Sequence, residues 1–288
     1  MIAVLRKELR SCFSNMYGYI LMCAYLFFAG LFTSSVCLFG GSSSIELSYG
    51  YLSFIFLLAV PFLTMKGMSD ERRQKTDTLL YSLPIGSLDI VMGKFLSMTI
   101  IMGICDLIGF SAIFILSFYG KINLISAIGG TIALYLCGCS LLSVGLFIST
   151  LSGNILISAL LSFGAMLIIY FMPNLVSFIP TTAVGSFITL TIIILLFSSL
   201  TAYLSKSFSV SIAFFLILEL LNISALLFFP DTEKNLAVKL FSFLSVTDKL
   251  TTFTTYAVFD IQNILYFISF TALFIYFTYL SVEKRRWR

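Results

Sequence analysis

Lys66-Gly-Met-Ser-Asp-Glu-Arg-Arg-Gln-Lys-Thr-Asp-Thr-Leu-Leu-Tyr-Ser-Leu-Pro-Ile-Gly-Ser-Leu-Asp-Ile-Val-Met-Gly-Lys94 lies between two stretches that could dissolve in lipid. It holds nine of the chain's thirty charged residues: Lys66, Asp70, Glu71, Arg72, Arg73, Lys75, Asp77, Asp89 and Lys94. A polar segment this dense, framed by apolar runs, is a surface offered to water. Everything on either side has to be read as what holds that surface in place.

Outward from this island the chain is greasy. Of 288 residues, 59% are hydrophobic and 10% charged, with 31 Phe and a mean hydropathy of +1.07. Soluble domains carry about 25% charge, so the composition predicts an all-α polytopic membrane protein in which one helical bundle uses residues 1–288. The six cysteines mostly lie in apolar runs, where Cys behaves as a small hydrophobe. Cys137 and Cys139 are two apart and point to different sides of a helix, which argues against a metal pair. There is no histidine, which excludes His-ligated haem, HExxH zinc hydrolysis and Ser-His catalysis. No catalytic residue and no metal ligand is assigned.

A span needs about 20 apolar residues. Eight segments qualify: 17–39, 49–66, 94–119, 123–149, 154–172, 184–205, 207–229 and 262–282. Breaks at Pro173, Pro180 and Lys206 leave six as the rival count. The first run is too long for a signal-peptide core and lacks a clear Ala-x-Ala, so it reads as a retained span. With the N-terminus in the cytoplasm, 13 of the 17 Lys and Arg fall inside and Lys121, Lys234, Lys239 and Lys249 outside. That bias obeys the positive-inside rule. An even count returns Glu283-Lys-Arg-Arg-Trp-Arg288 to the cytoplasm as well.

Residues 2–14 alternate Ile2, Leu5, Leu9, Cys12 and Phe13 with Arg6, Lys7 and Arg10 on the other side. This predicts an amphipathic interface helix in the inner headgroup layer, or else a cytoplasmic extension of the first span. The extracytoplasmic loop 230–261 is rich in Phe and Leu, and predicts short re-entrant helices or helices packed on the bundle. No repeat of fixed period and no low-complexity tract is present.

Within the island, residues 67–93 read as a cytoplasmic elbow. Ser69 is placed to cap a helix, with Asp70 and Glu71 favoured in its first turn. The helix is expected to run to Leu83, where Pro84 stops it. Arg72, Thr76, Leu79, Leu80 and Leu83 then share a face, and Arg73 can pair with Asp77 at i, i+4. A second helix is expected to start after Ser87 and pass through Lys94 into the next span. Turning the chain needs only a few residues, so a patterned segment of nearly thirty predicts a docking surface rather than a solvated turn.

The stretch from Ser69 to Lys94 resembles the central segment of the type-2 ABC transporter permeases. It shares their acidic-basic start, a Thr, paired leucines, a Pro and an apolar-Gly-Lys before the next span. Gly145-Leu-Phe-Ile-Ser-Thr-Leu-Ser-Gly-Asn154 resembles their junction between the fourth and fifth spans. Phe259-Asp-Ile-Gln-Asn-Ile-Leu-Tyr266 and Ser281-Val-Glu-Lys-Arg-Arg-Trp287 resemble the end of the branch that includes gliding-motility permeases. Ala257, Gly153 and the insert at 184–229 depart from the pattern. The resemblance implies a half-transporter in the plasma membrane that pairs with an identical or sister permease and receives a cytoplasmic ABC ATPase. It implies Glu71 to Leu83 as the coupling helix (Glu71, Arg72, Arg73, Thr76, Leu79, Leu80 and Leu83 as ATPase contacts), with the interface helix of Arg6, Lys7 and Arg10 beside it. ATP and Mg2+ would sit on the partner, for this chain has no G-x-x-x-x-G-K-[ST] loop: Gly93-Lys94 is followed by Phe95. Nothing points to nucleic acid. Leu79→Asp or Arg72→Glu is expected to uncouple ATP hydrolysis while sparing insertion.

Three intramembrane polar residues stand out. Asp106, Glu219 and Asn222 could line a substrate path or serve helix packing, and intramembrane acids are costly unless they face protein or water. They also carry the alternative function, a secondary proton-coupled transporter using Asp106 and Glu219. The patterned island has no task in that alternative, and the halves show no matching broken helices. An intramembrane enzyme lacks both a nucleophile–base pair and a metal constellation. Ser, Thr and Gly in 99–150 and 181–211 read as close-packing residues.

Overall fold

The computed structural model describes residues 1–14, 16–41, 45–76, 86–118, 123–178, 182–205, 208–228, 236–256 and 260–286. Among them there is helix and turn but no strand. The helices are α1 (Ile2–Ser14), α2 (Tyr17–Thr33), α3 (Glu46–Leu52), α4 (Phe56–Thr64), α5 (Ser69–Arg73), α6 (Ser87–Ser117), α7 (Leu124–Leu151), α8 (Ile155–Ser177), α9 (Ala183–Ser205), α10 (Phe208–Phe228), α11 (Leu236–Leu244), α12 (Val246–Tyr256) and α13 (Ile261–Arg286). A π turn, Ser34–Phe39, extends α2, and a 3-10 turn, Ser53–Ile55, joins α3 to α4.

Six stretches among the described residues are long and apolar enough to cross a membrane: Gly18–Phe39, Leu47–Arg73, Ser87–Ser111, Leu124–Leu151, Ile155–Ser177 and Ile261–Arg286. α9 and α10 carry shorter apolar stretches, Val184–Leu195 and Phe215–Ser224. Among the described residues the count of helices long and apolar enough to span is thus six, the rival to the eight expected, and the expected sixth and seventh spans carry only these shorter stretches. Pro61 and Pro173 lie inside α4 and α8.

The described chain divides into two compact units, Met1–Tyr170 with Val246–Arg288, and Phe171–Ser245. The first unit is built around α7, which is buried along most of its length. Its buried face is full of small residues, among them Ala127, Gly129, Gly130, Ala133, Gly138, Ser140, Ser143 and Ser149. Lipid provides no hydrophobic drive between helices, so close backbone approach and dispersion hold them together, and small side chains permit both. α13, α6, α4 and α12 all pack on α7. Phe56, Met102, Leu134, Leu142, Leu146 and Phe267 fill the space between them. Gly145 marks the tightest point: a Cβ there would stand 2.5 Å from Thr64 Oγ1, so only glycine lets α4 and α7 meet.

In the loop 230–261, α12 packs on α3 and α7 through Val246, Leu250 and Phe253. The second unit pairs α9 with α10, and α11 packs on α9.

α1 is amphipathic as expected, but its apolar side is used by the protein. Val4 is buried, and Leu9, Cys12 and Phe13 pack against the core. The face left outside carries Arg6, Lys7 and Arg10.

Candidate functional site

The elbow differs from its expected form in two ways. Its first helix, α5, ends at Arg73 rather than Leu83. Lys75 takes φ +55°, in the left-handed region. The amide of Lys75 donates to Arg72 O and that of Thr76 to Glu71 O, which together make a Schellman stop. The helix thus ends by its own backbone eleven residues before Pro84 is reached. Residues 77–85, with Asp77, Leu79, Leu80 and Leu83, lie outside the described residues, so no shared face with Arg72 and Thr76 is described. Arg73 pairs with Asp70 at 3.7 Å.

Ser69 does not cap. It is the first residue of α5, and its hydroxyl donates back to Met65 O. The cap comes from α7: Ser149 Oγ accepts the amides of Met68 at 2.9 Å and Ser69 at 3.3 Å. Arg72 adds a second tie to the same place, donating to Ser152 O at 3.3 Å. The 145–154 junction therefore holds the start of the elbow directly.

The second arm begins at Ser87 and continues unbroken as α6. Its key side chain is Lys94, which is only 1% exposed. The ammonium lies 2.7 Å from Glu8 Oε1 of α1 and 3.0 Å from Glu71 Oε1 of α5. Glu71 Oε1 also receives Lys7 Nζ at 3.1 Å. Charges alternate Glu8, Lys94, Glu71, Lys7, and their sum is zero. Gly93 lets α1 come near enough for this, since a Cβ at 93 would stand 3.0 Å from Val4 Cβ and 3.1 Å from Met1 O.

The knot joins three elements that sequence order separates. Desolvating charges costs several kcal/mol per ion, and a buried pair is weak evidence for stability but strongly disruptive when one partner is lost. Such a knot specifies one arrangement of α1, α5 and α6. Beside it lies a polar cavity of about 420 Å³ bordered by Lys66, Asp70, Gln74 and Ser97. Cys12 also borders it. Burial, with help from Glu8, raises its thiol above the ordinary value, and Lys66 and Lys94 oppose the shift.

Further ties close the same end of this unit. Thr150 donates to Ser281 Oγ at 3.0 Å, and Arg286 to Ser87 Oγ at 3.4 Å. Three segments singled out in the sequence thus meet: the elbow, the 145–154 junction and the C-terminal Ser281–Arg286 stretch.

Of the expected site residues, Glu71 and Lys7 enter the knot and Arg72 the junction. Arg6 and Arg10 stay on the exposed face of α1, and Thr76 ends the Schellman motif. Sequence reasoning missed Glu8, Ser149 and the role of Lys94. Lys94 carried one signal, its place directly after Gly93 at the threshold of a span.

The intramembrane polar residues fall into separate groups. In the first unit, Tyr25 donates its hydroxyl to Asp106 Oδ1. In the second, Thr191 donates to Glu219 Oε1 at 3.1 Å, and Asn222 donates to Thr191 Oγ1 at 3.3 Å. Asn222 does share a partner with Glu219, through the hydroxyl of Thr191.

These observations define a class: a multi-pass, all-helical membrane protein in which a charged elbow is pinned by a buried lysine between an amphipathic N-terminal helix and the start of a span. Residues 17–186, more than half the chain, match the family described as ABC-2 family transporter protein. The chain belongs to that family and is an ABC transporter permease, a membrane subunit. No curated protein matches the chain.

Proposed function

We propose that this permease works as the membrane half of an ATP-driven exporter in the plasma membrane. A separate cytoplasmic ABC ATPase seats against the elbow, and a second permease, identical or sister, completes the machine. The observation that carries this reading is the Glu8–Lys94–Glu71–Lys7 knot. It makes α1, α5 and the head of α6 one mechanical piece, and the head of α6 continues into a span. A push on α5 therefore reaches the head of α6 through the buried Lys94. Nucleotide-driven closure of the ATPases would shift the bundle between two packings, as rigid-body transitions at interfaces do. The surplus of basic residues on this side supports a cytoplasmic orientation with both termini inside. The match to the family supports the transport role, and the resemblance to gliding-motility permeases supports a branch within it.

The contact residues proposed for the ATPase are Glu71, Arg72, Arg73 and Thr76, continued by Leu79, Leu80 and Leu83, with Arg6, Lys7 and Arg10 beside them. ATP and Mg2+ belong to the partner. The test is co-purification from native membranes followed by ATPase assay. A nucleotide-binding chain should copurify, and Leu79→Asp should abolish substrate-stimulated hydrolysis while insertion is retained. Arg72→Glu is the less clean probe, because it also cuts the bond to Ser152. Unchanged coupling in Leu79→Asp contradicts the elbow reading.

A proton-coupled carrier remains the second reading, favoured by the buried Asp106 and the partly buried Glu219. Each has one carboxyl oxygen that meets no hydrogen-bond partner among the described residues. Proton-driven flux by this chain alone in liposomes would support it.

A further inference from the structure

Folding uses the apolar side of α1 inside the protein and leaves its cations outside. Leu9, Cys12 and Phe13 pack against the core, while Arg6, Lys7, Arg10, Ser11 and Ser14 are exposed. The one acid of the helix, Glu8, is turned inward onto Lys94. Lys7 is engaged by Glu71. Among the described residues no carboxylate pairs with Arg6 or Arg10. Residues four apart on a helix are surface neighbours, with Cβ atoms about 5–6 Å from each other. An open groove of about 800 Å³ runs along this face, bordered by Ile2, Arg6, Arg10, Ser11 and Ser14.

The level of the face in the molecule selects its partner. α1 ends four residues before the apolar stretch Gly18–Phe39 begins. It also packs on the opening turns of α6, whose apolar stretch starts at Ser87. There a Cβ at Gly93 would meet Val4, and the Met1 amine lies 3.9 Å from Asp89. The helix thus lies beside the beginnings of two spans, where headgroups meet water. Tyr19, in the first turn of α2, is exposed and sits edge-on to Phe13 of α1, with ring centroids 5.5 Å apart. Tyrosines are enriched at the membrane–water boundary. Apolar side chains share the cationic face at its start, where Ile2 is 71% exposed. Cations edged with exposed apolar side chains at that level match a lipid headgroup and the chains attached to it.

A phosphodiester supplies what the two arginines lack. Its oxygens accept from both guanidinium forks at once, and charge-assisted bonds of this kind are the strong ones. A zwitterionic phospholipid brings its own cation to compete for the phosphate, whereas an anionic one does not. Each basic residue near an anionic surface adds attraction worth roughly fivefold in affinity.

We propose that the exposed face of α1 binds an anionic phospholipid, with the phosphate shared by Arg6 and Arg10 and Ile2 against the acyl region. This goes beyond the ATP-driven reading and does not depend on it: the two arginines flank the proposed ATPase seat, while Lys7 stays on the elbow. The test is native mass spectrometry of the full-length chain, free of any ATPase, released from detergent with equal amounts of dioleoyl phosphatidylglycerol and dioleoyl phosphatidylcholine. Phosphatidylglycerol should be retained at least about tenfold more strongly. R6Q/R10Q should erase most of that preference, whereas K239Q, at an exposed lysine of α11, should leave it unchanged. Soluble glycerol 1-phosphate in excess should not displace the lipid. Photoactivatable phosphatidylglycerol in nanodiscs gives a second readout that needs no variant: its adducts on the unaltered chain should map to residues 2–14. Four outcomes overturn the proposal. They are equal retention of the two lipids, which would leave the face to a protein partner; an undiminished preference in R6Q/R10Q; displacement by glycerol 1-phosphate, which would assign the pair to a free phosphate; and adducts confined to the basic end at Lys284, Arg285 and Arg286. None of these touches ATPase co-purification, so the two readings fail separately.

Discussion

Replacing Lys94 by Met would leave the carboxylates of Glu8 and Glu71 facing each other without the cation that both approach within 3.0 Å. The account predicts a clear loss of thermal stability for K94M, partly restored when E8Q is added. The coupling between positions 8 and 94 in a double-mutant cycle should be on the order of 1 kcal/mol or more. Additive effects of the two substitutions would contradict a shared knot. Ser149→Ala should cost about 1–3 kcal/mol, because two buried amides lose their acceptor. Amide exchange at Met68 and Ser69 should speed up in that variant, and unchanged exchange would count against the cap. Cys12 offers a pH test. Its thiol is raised by burial, so less thiolate is present at any given pH. Alkylation at pH 8 should be slower than that of free cysteine and rise at more alkaline pH. At this scale the sequence was only partly legible. The density of charge in 66–94 was plain, but Lys94 and Glu8 are 86 residues apart. No local periodicity pairs side chains at that distance; only the packing of α1 on α6 does.

α5 shows how an element can be read correctly in kind and wrongly in extent. Acidic residues at its start and basic ones at its end were legible from the helix dipole. Its stop was not, since a lysine in the left-handed region runs against the preference for Gly at that position. A non-glycine residue there costs about 1–2 kcal/mol. Lys75→Gly should therefore stabilise the end of α5 by about 1 kcal/mol, seen as slower amide exchange at Lys75 and Thr76. Faster exchange in that variant would show that the Schellman stop is misassigned. The approach of α4 to α7 carries an opposite expectation. Gly145→Ala should destabilise by about 1–3 kcal/mol, because Thr64 has no room for the added methyl. The use of glycine there follows the small-residue pattern of the stretch 99–150, whereas its partner Thr64 could not be named without the fold. The apolar stripe of α1 was legible, but its packing partners were not: Leu9, Cys12 and Phe13 meet the core, while Ile2 stays exposed.

At the scale of the whole molecule, composition and apolar run length were enough for the all-helical, multi-pass class, because the bilayer imposes those lengths. Order along the chain was enough for the family. The division into two compact units was not legible, since the insert at 184–229 is as apolar as the rest. The central claim is that the elbow is the seat of a cytoplasmic motor. The most direct measurement places a photo-crosslinker at Arg73, whose side chain is exposed, in the full-length permease in native membranes. The account predicts a covalent adduct with a nucleotide-binding ABC chain, captured from the cytoplasmic side and lost when that chain is stripped from the membrane. Capture of lipid alone, or reaction of a cysteine at position 73 with an impermeant reagent added outside intact cells, would contradict it.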